Sequence, residues 1–437
     1  MDGFPKRRWI PVLVVLFSAL TATTEAPVYR LSGDEVLALA AELSGPLYEG
    51  RMIGTEGGLR AARLLEALLS KAGYQVRFQE FPERPAYNRG EALLEALLPG
   101  GARLVFAYRK DFRETARGGW TGGTAEGPLR VLEGRGQEFP GGSVLLIPAS
   151  LYDPAALDSY AARGAKGVIL ELPEGSPAQR SGYTGAAPGA LAEPRQGMIV
   201  LAVSTEAYRR LADAASGKAR VRLASPVRFE DARGRNIVAA WNGDGGDFRP
   251  RLVFLAHYDH MGTDADGSRF PGALDNASGT ALAVRLAEAV ARGSPRADFA
   301  LVLTDGEEVN LGGAWALARD PPFPLHGIPV VNLDMVGSRT DMELSVFHNG
   351  DSGSRRLADR ILGVIRAAGF KAVARSPVYN LDHGHLPRAG ARAVSICEYD
   401  TTLYHTKEDL PEGLSAGELS ALGGALLKFA LEELDAD

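Results

Sequence analysis

Hydrophobic and polar positions divide the chain into three textures. The first begins at Ser32-x-x-Glu35, the spacing of a helix capping box, which opens a segment of helical period running to about Leu43. Residues 55–72 repeat that period, with Leu64, Leu65, Leu68 and Leu69 on one face and Gly73 as the stop. Residues 74–81 alternate as a half-buried strand does. In the second texture, residues 118–225, the apolar runs 144–147, 168–172 and 198–203 are short and continuous, as in buried strands. Helical periods lie between them at 155–162 and 206–215, and residues 173–197, rich in Gly, Pro, Ser and Ala, read as a long loop. The third texture starts at Asn236 and alternates strands with helices. Apolar strands at 252–256, 299–304 and 328–333 end at His257, Asp305 and Asp334. Helical periods cover 278–292 and 354–368, a strand covers 393–397, and Ser415-x-x-Glu418 caps a closing helix.

Such alternation predicts an α/β fold with a mixed, largely parallel sheet flanked by helices and a small α/β module inserted into it. The expected division is a leader at 1–26, a first part of the main domain at 27–117, the insert at 118–225 and the rest of the main domain at 226–437. In the leader, Lys6, Arg7 and Arg8 precede an apolar run of eleven residues from Ile10 to Leu20, and Thr24-Glu25-Ala26 offers small residues for cleavage. This reads as a secretory signal peptide, shorter than the roughly 20 residues a membrane span needs. Export to the periplasm or the exterior follows, without stable membrane association once the segment is cleaved; uncleaved, it would serve as an anchor.

Composition narrows the chemistry. Hydrophobic residues make up 45% of the 437 positions, enough for large cores. The net charge of −6 argues against a nucleic-acid partner held by bulk charge. A single cysteine, Cys397, excludes an intrachain disulfide and a thiolate zinc site. All seven histidines lie between His257 and His405, so the candidate chemistry lies in the third texture.

Five short segments carry it. In His257-Tyr258-Asp259-His260, strand geometry lets His257 and Asp259 point together, an imidazole ligand with a carboxylate to hold its tautomer. In Gly272-Ala273-Leu274-Asp275-Asn276-Ala277-Ser278-Gly279, Asn276 or Ser278 can cap the following helix, leaving Asp275 free to bridge two cations. Asp305-Gly306-Glu307-Glu308 places three carboxylates at a strand end, where burial would demand cations nearby. Asp334 closes another apolar strand, and Tyr404-His405-Thr406-x-x-Asp409 adds a last imidazole. Two His, two Asp and one Glu form a mixed N/O set that suits two Zn²⁺ sharing one Asp. His260, His326, His348 and His385 are read as outside the set. The run from Asp264 to Asp275 is a poor calcium loop, with Arg269 at the position that needs Gly, and reads as a surface turn.

The order HYD, GALDNASG, DGEE, NLDMVG and YHTKED, with Gly50-Arg51-Met52-Ile53-Gly54-Thr55 upstream, resembles the M28 family of zinc exopeptidases over roughly 30–115 and 230–437. The resemblance implies that His257 and Asp334 bind one zinc, Glu308 and His405 the other, and Asp275 bridges. It makes Glu307 the general acid/base acting on a bridging water, Asp259 the residue that orients His257, and Tyr404 a stabiliser of the oxyanion. Asp382-His383 resembles a family segment near the substrate pocket but continues as Gly384-His385-Leu386-Pro387, and its role stays open. The stretch from Ala162 to Leu170 resembles a protease-associated (PA) domain, which implies an insert that influences substrate access. The implied function is an exported dizinc aminopeptidase acting on peptides. A carboxypeptidase, a glutaminyl-cyclase-like enzyme and a non-catalytic PA-domain receptor stay open as alternatives.

Overall fold

In the computed structural model the described residues are 31–435 apart from 116–118, 174–175, 177, 181–192, 341 and 376–379. The leader at 1–26 and most of the 173–197 loop lie outside them. Two eight-stranded sheets carry the molecule. The larger runs in the order Gln75–Glu83, Ala232–Trp241, Phe299–Thr304, Leu252–His257, Pro329–Leu333, Arg392–Cys397, Leu344–His348, Ala372–Arg375. Its four middle strands, from Phe299–Thr304 to Arg392–Cys397, are parallel. Ala232–Trp241 joins them antiparallel, as does Leu344–His348. This is the mixed, largely parallel sheet that the alternation predicts.

The middle strands are continuous apolar runs because helices cover both faces. Every residue of Leu252–His257 and Phe299–Thr304 is buried. The helices Gly33–Leu43, Glu56–Lys71, Gly279–Gly293, Ser352–Ala367 and Ala416–Asp435 supply Leu43, Leu65, Leu286, Ile361 and Leu426 to one core against the sheet. Helix starts follow local chemistry. Ser32 Oγ accepts the Glu35 N–H at 3.3 Å, Thr55 Oγ1 the Gly58 N–H at 3.2 Å, and Ser415 Oγ the Glu418 N–H at 3.2 Å.

The second sheet has its own core around Leu146, Ile169, Leu201 and Leu223. Parallel pairing links Gly123–Val131, Val144–Ile147, Gly167–Glu171 and Ile199–Val203. It also takes in Leu93–Leu97, Arg103–Val105 and Phe112–Glu114, which precede residue 118. Those strands are three to five residues long and broken by charges, so no change of texture marks them. Among the described residues no helix is long and apolar enough to cross a membrane.

Candidate metal centre

The polar groups gather where the parallel strands of the larger sheet end, the usual place for a site in such sheets. His257 is the last residue of its strand, Asp305 follows Thr304, and Asp334 follows Leu333. Asp275 comes from a tight turn before the helix Gly279–Gly293, and three side chains hold that turn. Asn276 Oδ1 accepts the Gly279 N–H at 3.0 Å and the Met335 N–H at 3.1 Å, while its Nδ2 donates to the Leu333 carbonyl at 2.9 Å. Asp409 accepts the Leu274 N–H at 2.8 Å and the Asp275 N–H at 3.0 Å. Arg51 donates to the Pro271 and Gly272 carbonyls, both at 2.8 Å, and to the Leu43 and Tyr258 carbonyls, both at 2.9 Å. With Asn276 as the cap, the Asp275 side chain is left to the site, as the sequence suggests.

Asp275 lies between two groups of side chains. Its Oδ1 is 3.4 Å from His257 Nε2, which is 3.5 Å from Asp334 Oδ1. Its Oδ2 is 3.4 Å from His405 Nε2, which is 2.8 Å from Glu308 Oε2. Donor atoms of His257, Asp275 and Asp334 fall within 4.8 Å of one another. Asp275 Oδ2 and His405 Nε2 are buried without a hydrogen-bond partner among the described residues. Nitrogen and carboxylate atoms that approach so closely without bonding converge on a common point, and the N/O donor set there fits a divalent cation on each side of Asp275.

Asp259 does two jobs at once. Its Oδ1 stands 3.5 Å from His257 Nδ1, the ring nitrogen facing away from Asp275. The same carboxylate accepts the Glu307 N–H at 3.1 Å and the Glu308 N–H at 3.3 Å, so it also pins the acidic turn. Tyr404 stacks on His405 with ring centres 3.5 Å apart. His260, expected outside the set, reaches into it: its Nδ1 is 2.7 Å from Glu308 Oε1 and 3.8 Å from Asp275 Oδ2. Donor atoms of His260, Asp275 and Glu308 also lie within 4.8 Å of one another. The sequence signal was the second histidine of His-x-x-His just past the strand end. Arg51 and Asp409 were in the quoted motifs, but their work is visible only in tertiary contact.

Electrostatics follow from burial and crowding. Burial pushes the Glu307 carboxyl well above its usual range, and the charges of Asp334, Glu308 and Asp382 add to that, against His257. Glu308 goes the other way, to about 2: burial and Asp275 raise it, but His405 and His260 prevail. Burial alone would lower His405, yet Glu308 and Asp275 lift it to about 9. Tyr404 is held well above its usual value by burial and then by Glu308 and Asp275. Asp382, buried and hydrogen-bonded to Thr304, is raised to about 7 chiefly by burial. His383 turns away, its Nδ1 2.7 Å from Ser395 Oγ.

Residues 236–430, which carry every one of these metal-site side chains, match the model of peptidase family M28. The match is to an M28 peptidase domain and takes in a little under half of the chain. The chain is 37% identical over 139 residues to a probable zinc metalloprotease of Leptosphaeria maculans, covering 31% of this chain and 28% of that protein. It is 26% identical over 306 residues to an aminopeptidase of Pseudomonas aeruginosa, covering 66% of this chain and 54% of that one. The matches therefore span between about a quarter and about half of the curated relatives' length. In fold the chain is similar to a zinc aminopeptidase from Bacillus subtilis, with a TM-score of 0.67 and 20% identity over 93% of this chain and 96% of that one. An aminopeptidase from Aneurinibacillus sp. strain AM-1 gives a TM-score of 0.65 at 17% identity, over 93% and 95% of the two chains.

Proposed function

We propose that this chain is an exported dizinc aminopeptidase that removes N-terminal residues from peptides. The observation that carries the reading is the position of Asp275, one oxygen 3.4 Å from His257 and the other 3.4 Å from His405. His257 and Asp334 would hold one cation, Glu308 and His405 the other, with Asp275 between them and His260 fixing Glu308 through its hydrogen bond. Two zinc ions so held would supply polarisation of the scissile carbonyl and a water acidic enough to ionise near neutral pH.

The chain's own residues do the rest. Glu307 is half-buried, and its backbone is fixed by Asp259. Its raised affinity for a proton suits a group that takes one from water and delivers it to the leaving amine. Tyr404 stays protonated because its pKa is raised, so its hydroxyl can donate to the oxyanion of the tetrahedral intermediate. Asp259 keeps His257 in the tautomer that presents Nε2 to the cluster. The second sheet acts as a PA-type module that governs access, and residues 1–26 act as the export signal.

The experiment is release of free amino acid from peptides, with and without a chelator. Release of the N-terminal residue that stops on metal removal and returns with zinc is the expected result. Release of the C-terminal residue instead would make the protein a carboxypeptidase, and activity indifferent to chelation would overturn the reading. Glu307→Gln should keep both metals and lose about 10²–10⁴ in kcat, the usual size of a general-base contribution.

A further inference from the structure

The second sheet domain sends one residue to the rim of the metal centre. Arg180 is half-buried, and its backbone carbonyl accepts from Arg109 Nη1 at 2.8 Å and Arg113 Nη1 at 3.2 Å. Arg109 is itself immobilised: its Nε and Nη2 fork onto Asp264 at 2.8 Å each, and Nη2 also meets Glu114 at 2.9 Å. From this anchor the Arg180 side chain crosses to the peptidase domain. Its Nη2 donates to the Thr401 carbonyl, and its Cζ stands 5.8 Å from the centre of the Tyr404 ring. Tyr404 in turn stacks on His405 at 3.5 Å. Arg180 Nε is buried and has no hydrogen-bond partner among the described residues.

A guanidinium carries five N–H donors in a rigid fork that matches a carboxylate. Here the backbone of the residue is anchored by Arg109 and Arg113, its Nη2 is fixed on the Thr401 carbonyl, and the guanidinium stands one aromatic ring away from His405. A substrate's ammonium group is repelled at such a place, whereas a carboxylate is attracted. An extended peptide advances about 3.3–3.6 Å per residue. The steps of 3.5 and 5.8 Å from His405 to Tyr404 to Arg180 keep the guanidinium within the reach of a group two or three residues into the substrate. We propose that Arg180 binds the free C-terminal carboxylate of short substrates, so that this enzyme is selective for di- and tripeptides. The inference rests on the aminopeptidase reading and adds a substrate class to it. It also gives the inserted domain a chemical part in recognition.

The test uses the full zinc-loaded enzyme and one tripeptide as free acid and as C-terminal amide. Wild type should favour the acid in kcat/KM by about tenfold to a hundredfold, the range for a hydrogen-bonded charge pair, with most of the difference in KM. Arg180→Met should bring the acid-to-amide ratio close to one, and Arg180→Lys should restore part of it. A wild-type ratio near one overturns the proposal while leaving the peptidase reading intact. So does an Arg180→Met variant that loses the same factor on both substrates, because that is the mark of a purely structural residue. Absence of hydrolysis of either peptide by the loaded wild type would take down the peptidase reading and this inference together.

Discussion

At the scale of single residues, the side chains of the centre differ in what their loss should cost. Asp275 faces both groups of candidate ligands, so on the dizinc reading Asp275→Ala should cost both metals, whereas Asp334→Ala should cost one. Elemental analysis of the purified variants checks this, and equal losses would show that Asp275 does not bridge. Arg51 serves the centre without touching it. Its guanidinium is fully buried and donates to four backbone carbonyls, and burial lowers its pKa to about 10, which still leaves it charged at neutral pH. Arg51→Met would strand those carbonyls, each unsatisfied group costing about 1–3 kcal/mol. Denaturant unfolding should show a loss of at least about 3 kcal/mol; a smaller loss would mean that water or a shifted side chain satisfies the carbonyls.

At the scale of elements, the decisive piece is the turn from Gly272 to Gly279. Helix capping alone would start a helix there, but the turn sets Asp275 in place through Asn276, Asp409 and Arg51. Asp409→Ala leaves the Leu274 and Asp275 N–H groups without their acceptor. It should lower stability by about 2 kcal/mol and weaken metal binding measurably in a competition titration. Unchanged metal affinity would show that the turn holds its shape without Asp409. This scale also explains what was legible beforehand. The run Phe299–Thr304 was read to the residue, because a strand buried on both faces shows as an unbroken apolar stretch. The five candidate ligands stood out by their places at strand ends and turns. The part played by His260 did not, because only the fold brings it within 2.7 Å of Glu308. The strands Leu93–Leu97 and Arg103–Val105 escaped notice because short, charge-broken segments lack periodicity.

At the scale of the whole molecule, the two sheets are joined by a buried charge network. Asp264, read from the sequence as part of a surface turn, is buried and forked by Arg109, with Lys407 Nζ at 2.9 Å and the Tyr108 hydroxyl at 2.8 Å. Lys407 lies two residues from His405, so the network ties the second sheet to the loop that carries His405. Burial raises the Asp264 carboxyl, but the hydrogen bonds and charge of Arg109, then Lys407 and Tyr108, outweigh it and hold the pKa well below the carboxylate range. A depressed carboxylate gives its full stabilisation above its unfolded pKa of about 4 and loses it as the pH falls through the lower folded value. Thermal unfolding of wild type should therefore steepen in pH dependence below about pH 4. In Asp264→Asn that share of the dependence should vanish and the variant should be less stable at neutral pH, whereas an unchanged acid profile would place the acid sensitivity elsewhere.

The central claim is that one carboxylate, Asp275, stands between two divalent cations. Anomalous diffraction at the zinc edge from crystals of the loaded protein tests it most directly. The account predicts two peaks about 3.5–4 Å apart, one beside His257 and Asp334 and the other beside Glu308 and His405. A single peak, or two peaks that do not flank Asp275, would contradict it.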